Sequence, residues 1–420
     1  MKHYDVLVVG AGPAGLSAAH AAAEHGARVV IVDDNPQAGG QIWRGGPELQ
    51  ADARAQQLWQ ALRQSGRMVF LPQTRVLYSP APGELKVQTP HASDTLHYEK
   101  LILATGARER LLPFPGWTLP GVTGAGGLQA LAKGGYPLEG KRVVVAGSGP
   151  LLLASAATLR ARGAHIVAIV EQASTAALLG FAVGLLATPS RLAQALQLKG
   201  QLRGVPYLRD SYVQSAHGDG MLQSVQVQRG GVPDMENLQC DYLACGYGLL
   251  PNVELAQALD CATVTRDGQT VVSVDQWQQT SVAGVYCAGE GTGVGGVDLA
   301  LAEGRIAALA ALGRTEQMRQ ALAERARWRQ FAGRLQRAFA LRPEVRTLAG
   351  DDTIVCRCED VCHSELRSHT TWRSAKLQTR CGMGPCQGRI CGGATEILYG
   401  WRPDAVRLPI SPTRIASIID

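Results

Sequence analysis

The chain has 420 residues, 46% of them apolar and 18% charged, enough to bury the cores of two or three globular domains. Its formal charge of +6 is mild and comes mostly from arginines in the last third, without the basic and aromatic interleaving that nucleic-acid binding needs, so no nucleic-acid partner is expected. No run of about 18 uncharged apolar residues occurs, which argues against a transmembrane segment. Met1 opens directly into a strand with no charged leader, so a cytoplasmic location is expected, with any attachment to the inner membrane peripheral and through a complex. Six of the ten cysteines lie between Cys356 and Cys391, and in a reducing compartment that clustering points to a metal rather than to disulfides.

Three strand, glycine-turn, helix signals organise the first three quarters. The first is a strand over residues 4–9, the turn Gly10-Ala11-Gly12-Pro13-Ala14-Gly15, an alanine-rich helix to about His25, and a strand over 28–32. Gly10 permits the tight turn, Gly12 lets the backbone touch a pyrophosphate, and Gly15 allows close helix–strand packing. Main-chain N–H groups at the start of the helix then hold phosphate, helped by the helix dipole. Asp33 ends the second strand, where a carboxylate can accept both ribose hydroxyls; its neighbour Asp34 is expected to be a solvated loop acid.

The second unit repeats this plan. A strand over 142–146 leads through Gly147-Ser148-Gly149-Pro150 to a strand over 165–170 that ends at Glu171. Leu152 stands where the third glycine would be, which compromises close helix–strand packing but leaves Gly147, Gly149 and Glu171 as candidate contacts for an adenine nucleotide, NAD or ATP. Glu171 would favour an unphosphorylated ribose. A third signal, Val285 to Glu290, precedes a helix-like segment over 299–312. Short alternating runs over 86–89 and 223–228 suit antiparallel strands. Residues 316–339 read as a basic linker helix docked on the first domain, with Trp328, Phe331, Leu335 and Phe339 forming one apolar stripe.

Gly39-Gly40-Gln41, Leu101-Ile102-Leu103-Ala104-Thr105-Gly106-Ala107 and Ala288-Gly289-Glu290 follow the first motif in the order of the remaining signatures of the two-dinucleotide-domain flavoproteins. The chain resembles that family over residues 1–315. The resemblance implies FAD bound through Gly10, Gly12, Pro13, Ala14, Gly15, Asp33, Gly40, Gln41, Ala104, Thr105, Gly106, Gly289 and Glu290, with residue 290 at the ribityl chain. The family usually has Asp there, so Glu290 is a departure. The paired cysteines of the family's disulfide reductases are missing. Cys240, Cys245, Cys261 and Cys287 lie apart in apolar text and are expected to be buried small hydrophobes.

Near the C-terminus, Cys356-Arg357-Cys358 is answered by Cys381-Gly382-Met383-Gly384-Pro385-Cys386. Four soft thiolates brought to one point select an iron–sulfur cluster or zinc, and the unequal spacers fit zinc less well. The text from Thr379 to Arg389 resembles the small [2Fe-2S] domain of the bacterioferritin-associated-ferredoxin type. That resemblance implies a [2Fe-2S] cluster on Cys356, Cys358, Cys381 and Cys386, with Cys362 and Cys391 surplus.

The expected fold class is therefore α/β, with two Rossmann-like dinucleotide-binding domains and a small, mainly helical [2Fe-2S] domain. Residues 1–120 and 260–315 would form the FAD domain, 121–259 the second nucleotide domain, 316–349 the linker helix and 350–420 the cluster domain. This order is similar to the alpha-type subunit of heteromeric bacterial amino-acid dehydrogenases and oxidases, a group that spans D-hydroxyproline dehydrogenase, dye-linked L-proline dehydrogenase, opine oxidase and hydrogen cyanide synthase. The resemblance implies a second flavoprotein subunit that oxidises the amino acid, with a small third subunit compatible. His3, His20, His25 and His97 offer no defensible general base, so no catalytic residue is expected in this chain. The competing expectations are a self-sufficient NAD(P)H-dependent reductase and a non-catalytic nucleotide- and zinc-binding protein.

Overall fold

The computed structural model describes residues 3–50, 52–230, 235–403 and 406–419. The chain divides into two compact units, one of Met1–Arg108, Leu250–Gly333 and Ala405–Asp420, the other of Glu109–Leu249 and Arg334–Asp404.

The first unit is built on β1 (His3–Val9), α1 (Pro13–Glu24), β2 (Val29–Val32), β3 (Met68–Leu71), β4 (Arg75–Tyr78), β5 (Glu84–Gln88) and β6 (Ser93–Leu103). The strands run in the order β3-β2-β1-β6-β5-β4, and Val285–Cys287 also pairs with β6. The β3, β2, β1, β6 and Val285–Cys287 pairings are parallel, whereas β5 lies antiparallel to both β4 and β6. Central parallel strands are covered on both faces, so they read as continuous apolar runs. Accordingly, Val6 and Val8 enter one core while Leu7 and Val9 enter another.

Alanine in α1 allows backbones to meet. The helix Val297–Ala311 packs on α1, with Ala14, Ala18, Ala300 and Ala307 in one core. A Cβ added at Gly304 would come 2.1 Å from the Ala14 carbonyl oxygen, and one added at Gly15 would come 1.8 Å from that of Gly10. Neither position tolerates a side chain.

In the second unit, β7 (Val122–Gly124), β8 (Arg142–Gly147), α2 (Leu151–Ala161), β9 (His165–Glu171), β10 (Tyr207–Leu208) and β11 (Tyr242–Gly246) form the nucleotide-fold core. The parallel order is β10-β9-β8-β11-β7. Ser211–His217, Ser224–Arg229 and Met235–Gln239 make a separate antiparallel sheet. The C-terminal segment adds the short strands Ile354–Cys356 and Val361–Cys362 and the helices Trp372–Thr379 and Cys391–Tyr399. It is fastened to this unit by Trp117, whose indole donates to the Ile354 carbonyl at 2.5 Å while the Arg357 guanidinium lies 5.7 Å from its ring centroid. Both the α/β class and the paired Rossmann-like plan agree with the motifs.

The basic helix spans Arg319–Ala338. Its fully buried residues are Ala321 and Ala332; Met318 and Ala321 meet Ile306 and Leu309. Trp328 and Phe331 are half-buried and pack edge to face on each other, and Phe339 lies beyond the helix end.

Gly304→Ala should destabilise the protein by about 1–3 kcal/mol, as overpacking of a tight contact does. Gly200→Ala, in the helix Pro189–Gln201 with open space where the Cβ would stand, should instead be neutral or stabilising by up to ~1 kcal/mol. Urea unfolding of the two variants side by side reads the difference.

Candidate dinucleotide sites and cysteine centre

In the first unit four separated motifs meet at the start of α1. Gly10 has φ +103, and a Cβ there would come 2.2 Å from the Ala104 carbonyl oxygen. A Cβ on Gly40 would be 2.9 Å from the Gly12 Cα, and one on Gly289 would be 2.9 Å from the Ala14 Cβ. Gly12 caps α1 in an extended conformation, and Pro13 opens the helix, where its missing N–H leaves nothing unsatisfied. Asp33 is aimed at this loop: its carboxylate accepts from the Ala11 N–H at 2.6 Å and from the Asn35 N–H and side-chain amide at 2.8 Å. Burial, and then the adjacent Asp33 charge, push the Asp34 carboxyl above its usual range.

Two further residues, unmarked by any motif, hold the loops. Asn252 ties down the crossing at 104–106: Thr105 Oγ1 donates to its carbonyl at 2.7 Å, its amide donates to the Thr105 carbonyl at 2.9 Å, and its N–H donates to the Gly106 carbonyl at 3.0 Å. Glu303, 1% exposed, accepts from the Gly289 N–H at 3.1 Å and from Thr292 Oγ1 at 2.8 Å, and Arg329 completes the set at 3.0 Å. Gln41, by contrast, is exposed and accepts from Arg44 at 3.0 and 3.2 Å.

Glu290 differs from these carboxylates. Desolvation of this half-buried carboxyl pushes it up to about 7. A cradle of glycines at a helix start, with the Asp33 carboxylate beside it, suits a flavin dinucleotide.

The second loop carries similar text but a different conformation. A Cβ on Gly147 would come 2.1 Å from the Gly246 carbonyl oxygen, so the first glycine keeps its role. Gly149, however, adopts φ +98, whereas Gly12 has φ −75. The Gly149 N–H donates to Glu171 at 2.8 Å, and the other oxygen of that carboxyl accepts from the Ala173 N–H at 2.9 Å. Glu171 is 0% exposed, and burial pushes it up to about 7 against these hydrogen bonds. Leu152 is fully buried and fits because Gly246 offers no side chain; a Cβ there would be 3.0 Å from the Leu152 Cδ2.

The cysteines converge in the second unit. The sulfurs of Cys356, Cys381 and Cys391 lie within 4.8 Å of one another, all buried. The Cys381 and Cys391 thiols donate to Cys356 and hold it well below the usual thiol range. Cys358 and Cys386 are hydrogen-bonded neighbours, and both line a cavity of about 180 Å³ together with Cys356, Cys391, Leu111, Trp117 and Ile390. A Cβ on Gly384 would come 2.3 Å from that of Cys358, so glycine is required where the two thiol loops cross. The Gly382 N–H points at the Cys356 sulfur at 3.5 Å, as main-chain donors do around cluster sulfurs. Cys362 stands apart, its thiol 3.6 Å from the Asp352 carbonyl oxygen. Cys391, which the motif spacing leaves as surplus, heads the helix Cys391–Tyr399 and enters the centre. Thiols gathered beside Leu111, Trp117, Ile390 and Arg357 could hold a thiophilic metal or an iron–sulfur cluster.

The remaining cysteines behave as small buried hydrophobes: Cys240, Cys245, Cys261 and Cys287 are free thiols, and burial pushes each of them up, Cys240 to about 12.

Because the Glu290 carboxyl is raised from 4.5 to about 7, the folded FAD-free protein resists its ionisation, and this carboxyl lowers stability progressively as pH rises between those values. Glu290→Gln should therefore melt higher than the parent chain above pH 7, with the gap closing toward pH 4.5, in thermal scans of the FAD-free protein.

The family model "Pyridine nucleotide-disulphide oxidoreductase" matches residues 4–321. The A chain of opine oxidase from Rhizobium meliloti (strain 1021) is 34% identical, over 100% of this chain and 99% of its own length. The HcnB component of hydrogen cyanide synthase from Pseudomonas aeruginosa is 32% identical, over 97% and 96%. Among solved structures, L-proline dehydrogenase from P. horikoshii superposes with a TM-score of 0.71 at 18% identity, covering 99% of this chain and 79% of that one, a likeness of fold. The chain belongs to the pyridine nucleotide-disulphide oxidoreductase family, an oxidoreductase fold whose implied cofactor is FAD.

Proposed function

We propose that this chain is the electron-transfer flavoprotein subunit of a heteromeric amino-acid or imino-acid dehydrogenase or oxidase, of the D-hydroxyproline, proline or opine type. One observation carries the reading. A chain with a flavin-type dinucleotide cradle also brings the sulfurs of Cys356, Cys381 and Cys391 within 4.8 Å of one another, beside the Cys358 and Cys386 pair. Relatives along its whole length, named as subunits of opine oxidase and hydrogen cyanide synthase, support the same reading.

In this reading FAD rests on Gly10, Gly12 and the first turn of α1, with Asp33 accepting from the ribose and Glu290 from the ribityl chain. Glu303 and Asn252 act through the backbone, holding the 289–292 and 104–106 loops in place. Four of the five convergent thiols hold a [2Fe-2S] cluster. When bound, FAD takes up electrons in pairs and a [2Fe-2S] centre passes them singly, so one chain holding both converts between the two. Substrate oxidation falls to a separate flavoprotein subunit, and a small third subunit is compatible. Among the described residues no helix is long and apolar enough to cross a membrane.

The purified chain should show flavin bands with superimposed iron–sulfur absorption, and contain iron and acid-labile sulfide in equal amounts. Serine substitution at Cys356, Cys358, Cys381, Cys386 and Cys391, one at a time, should abolish the cluster in four cases and spare it in one, while Cys362→Ser leaves it intact. Zinc in place of iron, or oxidation of imino acids by the chain alone as fast as by the assembled complex, would overturn the assignment.

A further inference from the structure

The second nucleotide fold has its own chain in the place of a ligand. A dinucleotide on such a fold sets its pyrophosphate against the second glycine and the main-chain N–H groups at the helix start. Here the second glycine is Gly149, and the Phe339 ring lies 3.6 Å from where its Cβ would stand. Phe339 is seated edge to face on Phe181, with centroids 5.1 Å apart.

Polar contacts hold the segment down. Ser148 Oγ donates to the Phe339 carbonyl at 3.0 Å. Gln172, 0% exposed, donates to Ser148 Oγ at 2.8 Å and to the Ala340 carbonyl at 3.0 Å, and its carbonyl oxygen accepts from the Arg342 N–H at 2.8 Å. Arg342 is then anchored by Asp210 and Glu344, over the ring of Tyr212. A fully buried glutamine thus spends its amide clamping residues 340–342 onto the glycine loop.

Three of the loop's own donors are committed as well. Ser148 N–H bonds the Gly246 carbonyl at 2.7 Å, Gly149 N–H bonds Glu171 at 2.8 Å, Leu152 N–H bonds the Gly149 carbonyl at 3.0 Å, and Pro150 has none. In the first loop the equivalent acid takes the Ala11 N–H instead, and Gly12 opens the helix in an extended conformation. Two loops of nearly the same text have therefore taken opposite states, one open to a phosphate and one closed on the chain itself.

We propose that residues 339–342 occupy the second nucleotide site as a built-in plug, and that Phe339, Gln172 and Glu171 are the specificity determinants that exclude NAD(P)H and ATP. This reverses the expectation of an adenine nucleotide there. It deepens the proposed function and rests on it in one respect: with pyridine nucleotide excluded, the electrons must arrive from another donor, such as a partner subunit.

The test uses the FAD-saturated full chain, so that the first site is filled. NADH, NADPH, ATP and ADP-ribose are titrated by calorimetry to about 1 mM, the upper end of common KM values, and amide exchange is followed by mass spectrometry. The parent chain should bind none of them, and NADH should not bleach its flavin anaerobically. Phe339→Ala and Gln172→Ala, each checked for unchanged FAD content, should raise exchange over residues 147–152 by about tenfold, as loss of a hydrogen bond's worth of local protection does. Saturable binding of any of the four by the parent chain overturns the plug, whether or not the variants fold. So does unchanged exchange at the loop in both variants. Neither result bears on the iron and sulfide content, which tests the cluster assignment separately.

Discussion

The first unit depends on main chain meeting main chain at the N-terminal end of α1. Gly10 lies against the Ala104 carbonyl, Gly40 against Gly12, Gly15 against the Gly10 carbonyl and Gly304 against the Ala14 carbonyl, each with no room for a side chain. Such proximity brings helix and sheet close enough for alanine to fill the core. The same constraint explains the composition, since a chain that repeatedly brings backbones into contact requires glycine at each crossing.

Carboxylates do the complementary work of fixing loops that backbone packing alone would leave adjustable. Asp33, Glu171 and Glu303 each accept main-chain N–H groups from a glycine-containing turn. Glu171, which receives two N–H groups, offsets part of its desolvation in this way. For Glu290 desolvation is the cause that raises the carboxyl, with no hydrogen bond among the described residues set against it.

What could be seen in the sequence was whatever obeys local spacing. The strand, glycine-turn, helix units announce themselves because a tight turn after an apolar run needs glycine whatever surrounds it, and Asp33 follows at the end of the next strand. Cys356, Cys358, Cys381 and Cys386 were visible for a similar reason, being close pairs. Cys391 was set aside because its role depends on where the helix Cys391–Tyr399 begins in space. Asn252, Glu303 and Gln172 had no signature, since each acts on a loop far away in sequence. Phe339 was misplaced for a physical reason: helical spacing assigns it to an apolar stripe, but the helix ends at Ala338 and the ring turns onto Gly149.

The two glycine loops show how little of a nucleotide site resides in its motif. Both begin with a glycine that a carbonyl approaches too closely for any side chain, and both are followed by an acid at the end of the next strand. They part at the second glycine, where the peptide of Gly149 turns toward Glu171 while that of Gly12 does not. Once that N–H is committed to a buried carboxyl, the loop no longer offers a phosphate its usual partner, and an aromatic ring can settle where the ligand would lie. A residue past the end of a helix, Phe339, and a buried amide, Gln172, then decide whether the fold is a site at all. The motif supplies the turn; the neighbours decide what fills it.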